Sequence, residues 1–368
     1  MKFIILAILL LCILLFTFFL LPRRNRNRKG AYRSFDWRAN GNKSIFSIID
    51  TIEYVILEDS PENSLQNIDK VIEKNGKYYV FDYKGRNRIF VYDLSGKFLF
   101  HAGGWPEIPG KQAKIRNFTV SRDHIYLLAN DRNTLMILDV NGNFVTQKDL
   151  PFTAQDIAIC GNGNFIFSWY PLPKDDFSGE THKIIITDPN IQIKQRLFPV
   201  NASNRCELGK TNFLTATDTV ILYHTLYSDS VAVFNGQNSE FMYHITLNFQ
   251  EKRLPIEQED QADKATSYCY LLDTPGISSH YLVGNVYNKG KVENYIYNTV
   301  NQEVYQNRSK GAFFLFTPVC YHEGRITACL PSSAACNEQE TEAMKKLPPD
   351  IQAGLQAGKH ILVNYHLK

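Results

Sequence analysis

Cysteine is scarce and unpatterned: seven residues in 368, with no Cys-x-x-Cys pair. That usage gives no support to a disulfide framework or an oxidising compartment, and Cys320, Cys329 and Cys336 lie only close enough in sequence to permit a bond. No His-Glu-x-x-His, Gly-x-Ser-x-Gly or phosphate-cradling glycine loop occurs, which excludes chemistries carried by one short motif. Gly161-Asn162-Gly163 reads as a hairpin turn, because no helical pattern follows it. The nine histidines are scattered singly, and Asp123-His124 and His322-Glu323 read as strand-end turns. The acidic stretches 257–263 and 338–342 read as solvated loop and helix faces rather than metal sites.

A basic body is also missing. The formal charge is +3, but eight of the 40 Lys and Arg residues fall between Pro22 and Lys43, against Asp36 alone. With those and Lys2 set aside, 31 basic residues face 36 acidic ones, so the rest of the chain carries about −5. A nucleic-acid partner is therefore not expected.

Among the features present, hydrophobic residues at 44% and charged residues at 21% describe a globular chain. Its 24 Phe and 20 Tyr lean towards β structure. Residues 3–21 form an uncharged run, apolar except for Thr17. At about 1.5 Å per residue it matches a hydrocarbon core of about 30 Å. Leu21-Pro22-Arg23-Arg24 follows, without a small-residue cleavage site, and Leu9, Leu10 and Leu11 precede Cys12 where a lipidation motif needs small residues. An uncleaved membrane helix over 1–22 is expected, followed by a basic polar linker over 23–44. The arginines after the run favour a cytoplasmic body by the positive-inside rule.

The body repeats. An apolar strand ending in Asp or Asn, with Gly or Asn shortly after, recurs at Asp93, Asp139, Asp188, Asn235 and Asn298. These are turn residues that tolerate positive φ, and a spacing of roughly 40–50 residues is that of a four-stranded propeller blade. Strand patterns fill five units between residues 68 and 307, and a sixth is one strand short. The apolar, β-branched segment 48–57 is expected to supply that strand by pairing with 360–366, closing a six-bladed β-propeller over 45–368. Residues 338–356 interrupt the last blade as a helical insertion, split by Pro348-Pro349.

The residues that carry this pattern resemble a known group, the bacterial six-bladed β-propeller proteins related to NHL repeats, many of them thought to be lipoproteins. The match rests on Tyr79-Val80-Phe81-Asp82, on Ile89-Phe90-Val91-Tyr92-Asp93-Leu94-Ser95-Gly96-Lys97-Phe98-Leu99, and on the ending Ile361-Leu362-Val363-Asn364-Tyr365-His366-Leu367-Lys368. The segment Gly103-Gly104-Trp105-Pro106-Glu107-Ile108-Pro109-Gly110 keeps the Gly/Pro character of the group's following loop but not its Gly-Pro-Gly-Glu motif. The resemblance implies an all-β propeller and an exported, periplasmic or extracytoplasmic body.

In such a blade the loops between second and third strands emerge on the same face as the blade-to-blade connections. That face is expected to carry Arg86, Arg88, Trp105, Asp131, Arg132, Trp169 and Tyr170, residue types enriched at binding hot spots. The expected function is a membrane-tethered binding or scaffolding module for a protein, peptide or glycan, with no cofactor. The alternative is a Ca- or Zn-dependent hydrolase or lyase at the channel mouth, suggested by fold analogy alone.

Overall fold

A computed structural model describes residues 31–35, 43–60, 64–103, 114–129, 133–169, 182–200, 212–225, 228–250, 253–254, 267–306, 318–330 and 344–368. The chain divides into two units, 1–31 and 32–368, and only the second is considered below. The apolar run 3–21 lies outside the described residues, and no helix among those is long and apolar enough to cross a membrane.

Six antiparallel sheets follow one another along the chain. The first blade is Lys70–Lys74, Lys77–Asp82, Arg88–Asp93 and Phe98–Ala102. The second is Ile115–Val120, His124–Ala129, Thr134–Asp139 and Phe144–Asp149; the third is Asp156–Ile159, Phe165–Ser168, His182–Thr187 and Ile193–Pro199. The fourth is Leu214–Ala216, Val220–Tyr223, Ser230–Asn235 and Phe241–Leu247. In the fifth, the innermost strand is broken into Cys269–Leu271 and Gly276–Ser278, followed by Tyr281–Asn288, Lys291–Asn298 and Val304–Gln306. The sixth runs Pro318–His322, Arg325–Cys329 and Ile361–Leu367, and its outer strand is Ile49–Ile56 from the other end of the chain. That strand pairs antiparallel with Ile361–Leu367 from Ile56↔Ile361 to Thr51↔His366, as the sequence predicts.

Packing shows why the ring must close. Middle strands such as Ile89-Phe90-Val91-Tyr92 are buried on both faces and read as continuous apolar runs. Alternate residues feed different cores: Tyr79 and Phe81 pack towards the second blade, Tyr78 and Val80 towards the sixth. The result is six apolar clusters, one in each gap between neighbouring blades. The gap between sixth and first blades joins Val55, Leu57 and Leu362 to Val71, Tyr78 and Phe90.

One expectation needs correction. Residues 23–44 are not all linker. Ala31–Phe35 forms a fifth, outer strand on the fourth blade, and Lys43–Ser44 pairs in parallel with Tyr305 and Gln306 of the fifth. The physical reason is that an outermost strand needs backbone partners on one side only, so a polar segment suffices. Of the expected helical insertion, residues 338–343 lie outside the described residues; Met344 is helical, and after a break at the prolines helix α1 runs over Pro349–Gln356. Proline suits the first helical position, where its missing N–H is not needed.

Candidate functional site

The two ends of the ring differ. At one end, the turns between first and second strands and between third and fourth, such as 75–76, 94–97, 140–143 and 217–219, span two to five residues. At the other end the strands are joined by longer stretches of sequence, for example between Ala102 and Ile115, Ser168 and His182, and Pro199 and Leu214. Long connections on a rigid scaffold are where recognition is usually placed.

A cavity of about 1440 Å³ runs along the axis, lined by the innermost strands of all six blades. At its long-loop mouth a network of polar groups crosses between blades. Lys70 Nζ donates to Asn117 Oδ1 (2.8 Å) and to the Phe118 carbonyl (3.1 Å), and pairs with Asp156 Oδ1 at 3.2 Å. The other oxygen of Asp156 accepts from the Phe213 and Leu214 amides, each at 2.8 Å. Asn117 Nδ2 donates to Asn212 Oδ1 (3.3 Å), and Asn212 Nδ2 donates to the Asp69 carbonyl (3.1 Å). Blades one to four are thus cross-braced at the long-loop mouth. Asp156 is fully buried, and its charge is tolerable because cation and amide partners meet both oxygens. Towards the short-turn end Lys74 pairs with Asp218 of the fourth blade, and Arg325 of the sixth pairs with Glu73. Among the described residues no group of three or more His, Cys, Asp or Glu is placed to hold a metal ion.

Burial pushes the thiols of Cys160, Cys320 and Cys329 up to about 12, which makes them packing groups rather than nucleophiles. Burial, with Asp273 nearby, also raises the Tyr295 phenol well above its ordinary value.

The most distinctive surface at the long-loop end is the turn 83–87 between second and third strands of the first blade. Its carboxylates face inward. Asp82, fully buried, accepts from the Gln66 amide (3.0 Å) and the Gly85 amide (2.8 Å). Asp69 Oδ2 accepts from the Tyr83 and Lys84 amides at 2.9 and 3.1 Å. A side chain at Gly85 would stand 2.3 Å from Asp82 Oδ1, so the tie requires glycine. Asn87, at φ +52°, joins the turn to the second blade: its Nδ2 donates to the Ile115 carbonyl (2.9 Å) and its Oδ1 accepts from the Ile115 amide (2.6 Å). The next residue, Arg116, sits in a bulge between Ile115 and Asn117. Its Nη1 donates to Tyr83 OH at 2.9 Å, and the guanidinium lies 5.8 Å from that ring's centre.

Of the residues expected on this face, Arg86 is exposed in the turn and Arg88 is half-buried, 3.5 Å from His101 Nε2 through Nη1. Trp169 is not a surface residue. It is 2% exposed, and its amide donates to the Lys183 carbonyl at 2.9 Å. It directly follows the strand Phe165–Ser168, all of whose residues are buried. Trp105, Asp131, Arg132 and Tyr170 lie outside the described residues. Sequence reasoning missed Lys70, Asn117, Asp156 and Asn212, along with Arg116, Lys84 and Lys114. Their neighbours in space are remote in sequence, and no local pattern announces them.

Six four-stranded blades around a braced axis define a six-bladed β-propeller. The chain belongs to the family described as "Domain of unknown function (DUF4934)", which matches residues 38–356. No curated protein is similar to it in sequence. A candidate exported protein of Bacteroides fragilis has a similar structure, with TM-score 0.70 and 13% identity over 92% of this chain and 100% of that one. At that identity the likeness shows the fold alone. A protein of unknown function from Bacteroides caccae matches at TM-score 0.39 and 9% identity (66% and 87% covered), and the Neurospora crassa Pan2 WD40 domain at 0.40 and 10% (81% and 75%).

Proposed function

We propose that the protein is a tethered binding module that offers the long-loop end of its ring to a protein, peptide or glycan ligand. The observation that carries the reading is the contrast within that end. Lys70, Asn117, Asp156 and Asn212 at the mouth of the axis are engaged with one another, whereas Lys84 and Arg86, on the turn beside them, stand exposed. The tether rests on the apolar run 3–21, and an extracytoplasmic position is supported by the structural likeness to the candidate exported protein of Bacteroides fragilis.

Site-specific photo-cross-linking of the full chain in cells tests the module. A cross-linker at Arg86, on the long-loop end, should give a discrete adduct. One at Arg122, exposed in a short turn at the other end, should give none. Equal adducts from both positions, or no adduct from Arg86, would contradict the reading.

A further inference from the structure

The turn 83–88 combines rigidity with charge in a way the stability of the fold does not require. Two inward carboxylates, a glycine under close contact and an asparagine at positive φ hold its backbone. The exposed groups are cations: Lys84, with its side chain 75% exposed, Arg86, and Lys114 from the second blade, with Arg88 and Arg116 half-buried beside them. Among the described residues no carboxylate pairs with Arg86, Arg88, Lys114 or Arg116; Asp69 lies 3.9 Å from Lys84. Five cations against Asp69 and Asp82 leave a local excess of about three positive charges on a body whose net charge is about −5. At physiological salt the Debye length is about 8 Å, so distant acidic residues are largely screened from this patch while its own cations act together.

Arg116 is the informative member. A bulge adds one residue to a strand and re-aims it. Here it lays the guanidinium against Tyr83, while the buried Nε has no partner. An arginine fixed in this way has lost side-chain freedom in advance, which lowers the entropy cost of binding. Guanidinium forks match carboxylates in two-point geometry. The patch presents separate cations rather than an open aromatic platform, and charge complementarity selects an acidic segment that can spread its carboxylates over them.

We propose that the 83–88 turn, with Lys114 and Arg116, is a docking platform for an acidic peptide segment of a partner protein. The proposal rests on the long-loop end being the recognition surface and names the chemistry of its partner.

The test is fluorescence anisotropy of a labelled oligoglutamate peptide with the full chain in detergent micelles at low ionic strength. The wild-type chain should bind, with affinity falling as salt rises. The triple variant Arg86→Gln, Arg88→Gln, Arg116→Gln should lose about tenfold or more while melting at an unchanged temperature. A control of equal charge change at other exposed or half-buried positions, Lys97→Gln, Arg122→Gln, Lys148→Gln, should keep its affinity within about twofold. Equal losses in both variants would reduce the effect to net charge and overturn the proposal, as would retained binding in the first variant or no binding by the wild type. Binding of polygalacturonate in place of oligoglutamate would overturn the peptide assignment in favour of an acidic glycan. If the peptide platform fails while the Arg86 cross-link persists, the binding module stands and only its partner chemistry is wrong.

Discussion

At the scale of single residues, the repeat is a hydrogen-bonding device. Asp139 Oδ1 accepts from the amides of Asn141 and Asn143, both at 2.9 Å. Asp188 Oδ1 does the same with Asn190 and Gln192, and Asp93 Oδ1 with Ser95 and Lys97. Asn235 and Asn298 play the same part in the fourth and fifth blades through their own Oδ1 atoms. Each closes a turn whose later residue takes positive φ: Gly96 at +88°, Gly142 at +86°, and Ile191 at +66° in the third blade. These markers were legible because the turn chemistry is local; Ile191 was not, since a buried β-branched residue in that conformation is held there by its core.

The bond from Ser95 holds the Asp93 carboxyl below its ordinary value, and that from Asn143 does so for Asp139. A lowered folded-state pKa means stability that is fully present above the unfolded value, about 4, and lost as pH falls through the folded one. The variant Asp93→Asn keeps the Oδ1 that accepts all three bonds of its turn but cannot be protonated. It should melt near the wild-type temperature at pH 7 and lose less on acidification to pH about 3. Calorimetry across that range checks this. A large loss at pH 7 would show that the charge, not the acceptor geometry, holds the turn.

At the scale of elements, the outer strands separate what a sequence can and cannot show. Ile49–Ile56 was legible because a surplus apolar, β-branched segment must find a sheet. Ala31–Phe35 was not, because its edge position imposes no apolar period. Its anchor is Phe35, 7% exposed, stacked on Tyr297 with ring centres 3.8 Å apart and within 5° of parallel, in the cluster between fourth and fifth blades. Its carbonyl accepts from the Asn248 amide at 2.9 Å. Phe35→Ala should lower unfolding free energy by about 3 kcal/mol, read from the denaturant midpoint. A change within about 0.5 kcal/mol would mean that this strand adds nothing to the ring.

For the whole molecule, stability and recognition are assigned to different parts. Six equivalent cores between blades make the ring, which is why period, blade count and closure could be read from repeats alone. The recognition surface could be read only in part. Arg86 and Arg88 stood out as loop cations, but Arg116 reaches them through a bulge, and the axis brace joins Lys70, Asn117, Asp156 and Asn212 from four blades. Such contacts depend on ring geometry and leave no trace in local spacing. Everything at the long-loop end depends on the ring being closed by its two chain ends.

Closure is tested most directly by placing cysteines at one registered pair of the closing strands, Thr51→Cys with His366→Cys. Opposed residues of an antiparallel pair stand about 4.5–5.5 Å apart between Cα atoms, within disulfide range. The native Cys160, Cys269 and Cys320 are buried and offer little competition. Peptide mapping after mild oxidation should recover the peptides containing residues 51 and 366 joined in a single chain. Recovery of both as free thiols, in protein that still melts cooperatively, would contradict the closed six-bladed ring.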